Sequence, residues 1–199
     1  MEDTALFIGT FDPFHLGHVW QIERTYKHRH FDKLVIAVIK QNDKKSDAAA
    51  YEHRDKLVRL HLKDLDFPFD IEITSIDKIG SDEISRLLKG KLKNRKVFRT
   101  VGSDSIINII KDSNRSLAEL SMFHYVIGVR ELWNLDHLNK YIDSLDPEGR
   151  ASFSYDILPI EPKNNLTATH IRHNLDIATK KGLINIGQLE YISSNNLYK

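Results

Sequence analysis

The sequence predicts an α/β fold, specifically a doubly wound, Rossmann-like parallel sheet flanked by helices. The first observation is that apolar runs of strand length alternate along the chain with segments whose apolar residues recur at helical spacing. The second is that several of these runs are apolar throughout, which is typical of parallel strands covered on both faces. The third is that the 199 residues contain no internal repeat and no low-complexity linker. We therefore expect a single domain over residues 1–199.

Six segments of the sequence are predicted as strands. A segment in which apolar and acidic residues alternate is expected nearer the sheet edge than a segment that is apolar throughout. Residues 69–73 have the alternating pattern, so we place that strand toward the edge. In chain order, the predicted strands are residues 5–8, 34–39, 69–73, 97–101, 123–129 and 151–160.

The segments between the strands have apolar stripes with a helical period. The sequence Asp-Pro-Glu-Gly at residues 146–149 predicts a turn instead. The predicted helices are residues 16–26, 48–65, a helix that begins at Ser81, a short helix over 106–110, residues 135–145, and a final helical region that opens at 166–172.

The composition excludes several classes of function. There is no cysteine, which rules out disulfides, thiolate catalysis and cysteine-based zinc sites. Basic and acidic side chains number 29 and 28, so no overall charge draws the chain to nucleic acid or to a membrane surface. The first residues are acidic and no apolar run is long enough to span a bilayer, which favours a cytoplasmic protein.

Basic residues cluster between Arg86 and Arg99. A nucleic-acid site would interleave such residues with aromatic side chains for base stacking, and here only Phe98 is present. Much of the cluster falls on the outer face and end of a predicted helix, where Lys and Arg are ordinarily solvated. We expect a solvated surface and no nucleic-acid partner.

The most informative stretch runs from Gly9 to His18, where the first strand gives way to a glycine-bearing turn and a helix start. Backbone N–H groups at a helix start, together with the helix dipole, favour an anion. His15 and His18 are three residues apart, so both imidazoles could donate to the same bound group. Gly17 between them allows close approach to the backbone. By itself such a pair also fits a surface coincidence or a partial metal site.

All ten residues of Gly-Thr-Phe-Asp-Pro-Phe-His-Leu-Gly-His resemble the first signature of the HxGH nucleotidyltransferase superfamily. Residues 166–172 resemble its second signature, with Ala168 where a serine is common. The resemblance implies transfer of an adenylyl group from ATP, with Mg²⁺ carried by the ATP phosphates and no metal held by protein ligands. In that scheme His15, His18, Thr10 and Arg172 are catalytic, and the nucleotide is bound by Gly9, Phe11, Gly17, Thr167 and Thr169.

A second glycine turn, Gly102-Ser103-Asp104, follows the fourth predicted strand. The carboxyl ends of parallel strands meet at one edge of the sheet, so Asp104 would share a crevice with the two histidines. Its carboxylate could accept both hydroxyls of a ribose, or it could simply cap the following helix. The resemblance places a ribose-binding Gly-x-Asp here and a further nucleotide-binding arginine at Arg130.

The resemblance is best to the nicotinate and nicotinamide mononucleotide adenylyltransferases, and residues 191–198 also resemble the ending of their bacterial members. The loop over 41–45 and the segment 52–54 instead resemble pantetheine-phosphate adenylyltransferase. Either a mononucleotide or a phosphopantetheine acceptor is therefore expected, and a catalytically silent nucleotide-binding relative is the third alternative. Acceptor-binding candidates are Lys40, Lys44 and Arg54; the sequence leaves a homo-oligomer open.

Overall fold

Six parallel strands form one sheet in the order β3-β2-β1-β4-β5-β6. The structure, a computed structural model, describes residues 3–41, 45, 47–78, 80–93, 95–112, 116–129, 132–159 and 167–199. The chain starts in the middle of the sheet, builds outward to one edge and returns to build the other half, which is the predicted doubly wound arrangement. The strands are β1 (Asp3–Gly9), β2 (Lys33–Gln41), β3 (Asp70–Lys78), β4 (Lys96–Gly102), β5 (His124–Val129) and β6 (Ser154–Pro159).

Helices connect the strands and continue beyond the last one. As predicted, the alternating segment became an edge strand, β3. The helices in the described residues are α1 (Leu16–His28), α2 (Tyr51–Leu62), α3 (Ser81–Lys89), α4 (Ser103–Lys111), α5 (Ser116–Leu120), α6 (Leu132–Asp143), α7 (Pro147–Ser152), α8 (Ala168–His173), α9 (Leu175–Lys180) and α10 (Ile186–Ser194).

The segment predicted as the turn 146–149 and the start of the last strand is a short helix instead. Asp146 is the N-cap of α7, and its carboxylate accepts a hydrogen bond from the backbone N–H of Gly149 at 2.7 Å. Pro147 occupies the first helical position, where its fixed φ and missing N–H are tolerated. As a result, β6 begins at Ser154, three residues later than predicted.

The central strands are buried on both faces. In β1, Leu6 and Ile8 belong to the apolar cluster on one face, while Ala5 and Phe7 belong to the cluster on the other. A third, smaller cluster joins α2 to the helices that follow β6, through residues such as Leu57, Ile171 and Ile192. The continuous apolar runs in the sequence therefore reflect two-sided burial.

A buried amide links α10 to the turn between β1 and α1. The Gln188 side chain is 0% exposed and donates from Nε2 to the carbonyl oxygens of Phe14 and Leu57, at 2.9 and 3.0 Å. The backbone N–H of Leu16 also donates to the carbonyl oxygen of Leu183 at 2.9 Å. The segment that follows β6 therefore supports the turn that carries His15 and His18.

Arg54 ties that turn to the ends of two other elements. Its side chain is 2% exposed, and Nη1 donates to the carbonyl oxygens of Thr10 and Ile39 at 2.7 Å each. Nε donates to Ala49 O at 2.7 Å and Nη2 to Lys40 O at 2.8 Å. Four of its donors therefore satisfy main-chain acceptors inside the protein. The acceptor-binding role of Arg54 stays a prediction, and the burial and bonding of the guanidinium favour a structural role instead.

Replacing Arg54 with Met should lower the free energy of unfolding by about 3 kcal/mol or more, because each buried carbonyl left unpaired costs about 1–3 kcal/mol. The measurement is urea-induced unfolding followed by circular dichroism. Lys56→Met, at an exposed position of the same helix, is the matched control and should stay within about 0.5 kcal/mol of the unchanged protein. Equal unfolding midpoints for the two variants would contradict the structural role.

Candidate active site

A cavity of about 700 Å³ opens at the carboxyl ends of β1 and β4 and is closed on one side by α8. Residues from both halves of the sequence line it, which brings the two signature segments together. The predicted site residues that line this cavity are Gly9, Thr10, Phe11, His15, Gly17, His18, Gly102, Asp104, Thr167, Thr169 and Arg172.

Three of the predicted residues are placed elsewhere or lie outside the description. Lys40 is not among the cavity-lining residues; its ammonium pairs with Asp77 of the edge strand at 2.7 Å. The predictions for Lys44 and Arg130 fall outside the described residues. Lys45, one position further along the loop, does line the cavity.

His15 and His18 hold the start of α1 by reciprocal hydrogen bonds. His15 is the N-cap, and its Nδ1 accepts from the backbone N–H of Gly17 at 3.1 Å. Nδ1 of His18 accepts in turn from the backbone N–H of His15 at 3.1 Å. The pair forms a capping box in which imidazoles replace the more usual hydroxyl and carboxylate.

This capping box fixes the tautomer of both rings. A backbone N–H can only donate, so each Nδ1 is the unprotonated nitrogen and each neutral ring carries its proton on Nε2. The ring centroids lie 3.9 Å apart, and both rings line the cavity. The same two side chains therefore cap the start of the helix with Nδ1 and, when neutral, carry their N–H on Nε2. Together with the positive end of the α1 dipole, they favour an anion in the cavity.

Aromatic packing holds the His18 ring in place. The ring stacks on Phe14 with centroids 4.9 Å apart and meets the edge of Phe11 at 5.2 Å. Phe7, from β1, lies at 5.9 Å. Because rigid neighbours surround it, the imidazole needs little reorganisation when an anion arrives, which is what preorganised electrostatic stabilisation requires.

Gly9 is required by the conformation of Phe11. Phe11 has a φ of 51°, in the left-handed region that favours glycine, and its ring folds back over Gly9. A Cβ at position 9 would lie 2.7 Å from the Phe11 ring. The Gly-Thr-Phe sequence thus produces a compact turn that brings the Thr10 backbone into the cavity wall.

Arg172 of α8 reaches across the cavity to the first signature segment. Nη1 donates to the Asp12 carbonyl oxygen at 2.9 Å and to its Oδ2 at 3.2 Å. On the other side, Nη2 donates to Thr169 Oγ1 at 3.4 Å and lies 3.5 Å from the exposed carboxylate of Asp47. Thr167 caps α8 by accepting from His170 N at 3.1 Å. The guanidinium is anchored at one end and faces the cavity with the other.

Asp12 belongs to the site although no role was predicted for it. Its carboxylate is 2% exposed and accepts from Arg172, from Ala49 N at 3.3 Å and from the Tyr198 hydroxyl at 2.6 Å. The sequence gives only the position of Asp12 within the signature. Its partners are distant in the chain, so no local spacing identifies them.

Asp104 is not the cap of α4. The N-cap is Gly102, with no side-chain cap bond, and Asp104 lies within the first helical turn. Its position in the cavity wall, beside Ser105 and Asn108, favours the ribose-binding interpretation over the capping one. Gly102 and Gly9 end neighbouring strands, since β1 pairs with β4, and so both turns face the same cavity.

One residue of the basic cluster between Arg86 and Arg99 is buried, contrary to the prediction. Arg99 was expected in a solvated surface, but its side chain is 1% exposed and pairs with the buried Glu119 at 2.5 Å. Val97, Arg99 and Val101 share one face of β4, and that face is covered. Other members are solvated as expected: Lys91 pairs with Glu72 at 3.1 Å and is half-exposed.

The described residues contain neither a metal-binding cluster nor a membrane-spanning helix. No group of three or more His, Asp or Glu side chains there is arranged to hold a metal ion. In the same part of the chain, none of the helices has the length and apolar character needed to cross a membrane.

The parallel sheet brings the helix start with its two histidines and Arg172 to one cavity, which is the arrangement expected of a nucleotidyltransferase. Residues 6–174 match the model of the cytidylyltransferase-like family, and the chain belongs to that family.

Two relatives that this chain resembles over nearly its full length have the same name. The chain is 26% identical over its full length to a probable nicotinate-nucleotide adenylyltransferase of Clostridium perfringens, of which 99% is covered. It is 28% identical over 98% of its length to a protein of the same name from Rubrobacter xylanophilus, with 91% of that protein covered. A solved Plasmodium falciparum nicotinic acid mononucleotide adenylyltransferase complexed with NaAD has the same fold, with a TM-score of 0.76, 17% identity and coverage of 100% and 98% of the two chains.

Replacing Gly9 with Ala should destabilise the protein by about 1–3 kcal/mol, because the added methyl group forces the Phe11 ring from its place. Chemical denaturation monitored by fluorescence measures the change. Gly187→Ala, in α10, is the control: its Cβ would meet only Asn185 Oδ1 and Leu60 Cδ2, at the ordinary contact distances of 3.7 and 3.9 Å, so stability should be unchanged or slightly higher. A Gly9→Ala protein as stable as this control would refute the packing argument.

Proposed function

We propose that this protein transfers the adenylyl group of ATP to nicotinate mononucleotide and releases pyrophosphate. The observation that carries the proposal is the capping box at the start of α1, which uses Nδ1 of both His15 and His18 and holds the two rings in the wall of a cavity that Arg172 also lines. The full-length relatives named as nicotinate-nucleotide adenylyltransferases support the same conclusion.

In the proposed reaction, an oxygen of the acceptor phosphate attacks the α-phosphorus of ATP. The new P–O bond forms as the bond from the α-phosphorus to the bridging oxygen breaks, and pyrophosphate leaves with those electrons. The attacking phosphate is already an anion, so no general base is needed. Catalysis then consists of holding two anions in line and stabilising the charge that develops on the oxygens.

In this proposal, each residue holds an anion or stabilises charge at a different place in the cavity. His15 and His18 donate from Nε2 to the α-phosphate and the bridging oxygen, while the Thr10 turn positions the α-phosphate against them. Thr169 and Arg172 hold the β and γ phosphates, and Asp104 accepts from the ribose hydroxyls. Mg²⁺ enters with ATP as part of the substrate, where it neutralises phosphate charge.

The engagement of two basic residues favours nicotinate mononucleotide over a pantetheine-phosphate acceptor. Arg54, one of the residues that favoured a pantetheine-phosphate acceptor, is buried and bonded to main-chain carbonyl groups, and Lys40 pairs with Asp77 outside the cavity. The cavity lining includes apolar residues such as Ile8, Ile39 and Ile109. We place this activity in the cytoplasm.

Purified protein with ATP and Mg²⁺ should release pyrophosphate when nicotinate mononucleotide is added. Parallel reactions contain nicotinamide mononucleotide or phosphopantetheine, because each acceptor presents the same phosphate nucleophile on a different body. A coupled pyrophosphate assay gives the rates, which should be highest for nicotinate mononucleotide. ATP binding without pyrophosphate release from any acceptor would instead identify a catalytically silent relative.

His15→Asn separates the two functions of the histidine. Asparagine is a good N-cap, so the bond to Gly17 N persists and stability should change by less than about 0.5 kcal/mol. The variant lacks an N–H donor at the Nε2 position, and turnover should fall by about 10²–10³-fold. His18→Ala should also reduce turnover far more than it weakens ATP binding. Turnover above a tenth of the original in His15→Asn would exclude the proposed donor role.

A further inference from the structure

The structure brings Tyr198, which is far along the chain from both signature segments, into contact with the side chain that anchors Arg172. Its hydroxyl donates to Asp12 Oδ1 at 2.6 Å, across a separation of 186 residues. We propose that Tyr198 is a positioning residue, which sets the orientation of the Arg172 guanidinium for the departing pyrophosphate. This inference rests on the proposed function, because it takes Arg172 to hold the β and γ phosphates.

Asp12 links the side chains of Tyr198 and Arg172. It is a buried carboxylate, and a buried charge is retained only where donors and an opposite charge surround it. The donors divide by oxygen: Oδ1 accepts from Tyr198 and from Ala49 N, whereas Oδ2 accepts from Arg172. With Oδ1 occupied, the carboxylate presents one defined oxygen to the guanidinium.

The tyrosine ring also contributes to the placement of Arg172. The guanidinium carbon lies 5.9 Å from the centroid of the Tyr198 ring, within the range of a cation–π contact. The chain turns back to reach this position: Asn196 and Tyr198 have φ values of 53° and 62°, and Leu197 N donates to Ile192 O at 3.0 Å. Ring and hydroxyl therefore act on the same arginine, one directly and one through Asp12.

The hydroxyl remains a donor at every pH at which the protein is assayed. Burial and the neighbouring negative charge of Asp12 raise the pKa of Tyr198 above its ordinary value. A deprotonated tyrosine would place two negative groups in contact, which explains the direction of the shift. The tyrosine therefore stays protonated and keeps the hydrogen that it donates to Asp12.

Loss of the hydroxyl should affect only the polyphosphate end of the site. Without that donor, Asp12 Oδ1 keeps the longer bond to Ala49 N, and the carboxylate is free to rotate and draw both of its oxygens toward Arg172. Fewer guanidinium donors then face the cavity near Thr169. The apolar lining attributed to the acceptor, including Ile39 and Ile109, is not part of this network.

The test compares Tyr198→Phe with Tyr191→Phe. Tyr191 is the matched control: it lies on α10, and its hydroxyl bonds to His53 Nδ1 at 3.0 Å, away from Arg172. Calorimetric titration with pyrophosphate, without acceptor, should give about 5–20-fold weaker binding for Tyr198→Phe, because the lost hydrogen bond acts indirectly and contributes less than a direct bond to the charged ligand would. Tyr191→Phe should change the binding by less than about 2-fold. KM for ATP should rise in parallel, while KM for nicotinate mononucleotide stays unchanged.

A double-mutant cycle with Arg172→Lys tests whether Tyr198 acts through the arginine. If it does, Tyr198→Phe should have no further effect on pyrophosphate binding once Arg172 has been replaced. Additive effects, equal effects of the two tyrosine variants, or parallel increases in both KM values would overturn the proposal. Wild-type pyrophosphate binding in Tyr198→Phe would do the same. A failure of the proposed function is distinct: no acceptor would then be adenylylated by the unchanged protein, whatever the binding of pyrophosphate.

Discussion

The hydrogen bonds that the His15 and His18 imidazoles accept from the backbone N–H groups of Gly17 and His15 are the constraint on which the site depends. They complete the first turn of α1, and in doing so they use the Nδ1 atom of each imidazole. The proton of each neutral ring is therefore assigned to Nε2 by helix geometry, before any ligand is present. Helix capping and the anion recognition proposed for this site are two uses of the same pair of side chains. Only a substitution can therefore separate the capping function of these side chains from their proposed function as donors.

Everything around this turn keeps it in one conformation. The Phe11 ring lies over Gly9, Arg54 binds the carbonyl oxygen of Thr10, and Gln188 binds that of Phe14. Each contact comes from a different element, so the turn is held from several directions. Such support allows donors to be placed in advance of the reaction, which is the larger part of electrostatic catalysis.

Local sequence patterns were sufficient for the fold and for the first signature segment. Two-sided burial makes central parallel strands apolar throughout, and the first signature segment spans only ten residues, so both are visible at short range. The capping bonds of the two histidines were not predicted. The burial of Arg54 and Arg99 was missed because their charge was weighed above their position. Arg54 precedes Leu57 and Val58 on the buried stripe of α2, and Arg99 lies between Val97 and Val101 on a covered face of β4. In both cases the periodicity already indicated burial.

No local sequence pattern could predict the contacts of Asp12. Its partners Arg172 and Tyr198 are 160 and 186 residues away, and only the folded topology brings them together. Asp146 illustrates a smaller limit, since the same Asp-Pro sequence opens a turn or caps a short helix. Sequence reasoning therefore identified which groups take part in the site more reliably than which groups hold them.

The hydrogen bonds between the turn that follows β1 and the C-terminal helices affect the order in which the protein folds. Leu16 bonds to Leu183, and Gln188 fills the space between Phe14 and Leu57, so the early turn lacks its final partners until the chain has been made to beyond residue 188. Contacts of such long range form late in folding, because a large loop must be closed first. During synthesis the sheet can assemble while the crevice is still open on one side. Competence to bind nucleotide is therefore acquired at the end of folding, as a property of the whole chain.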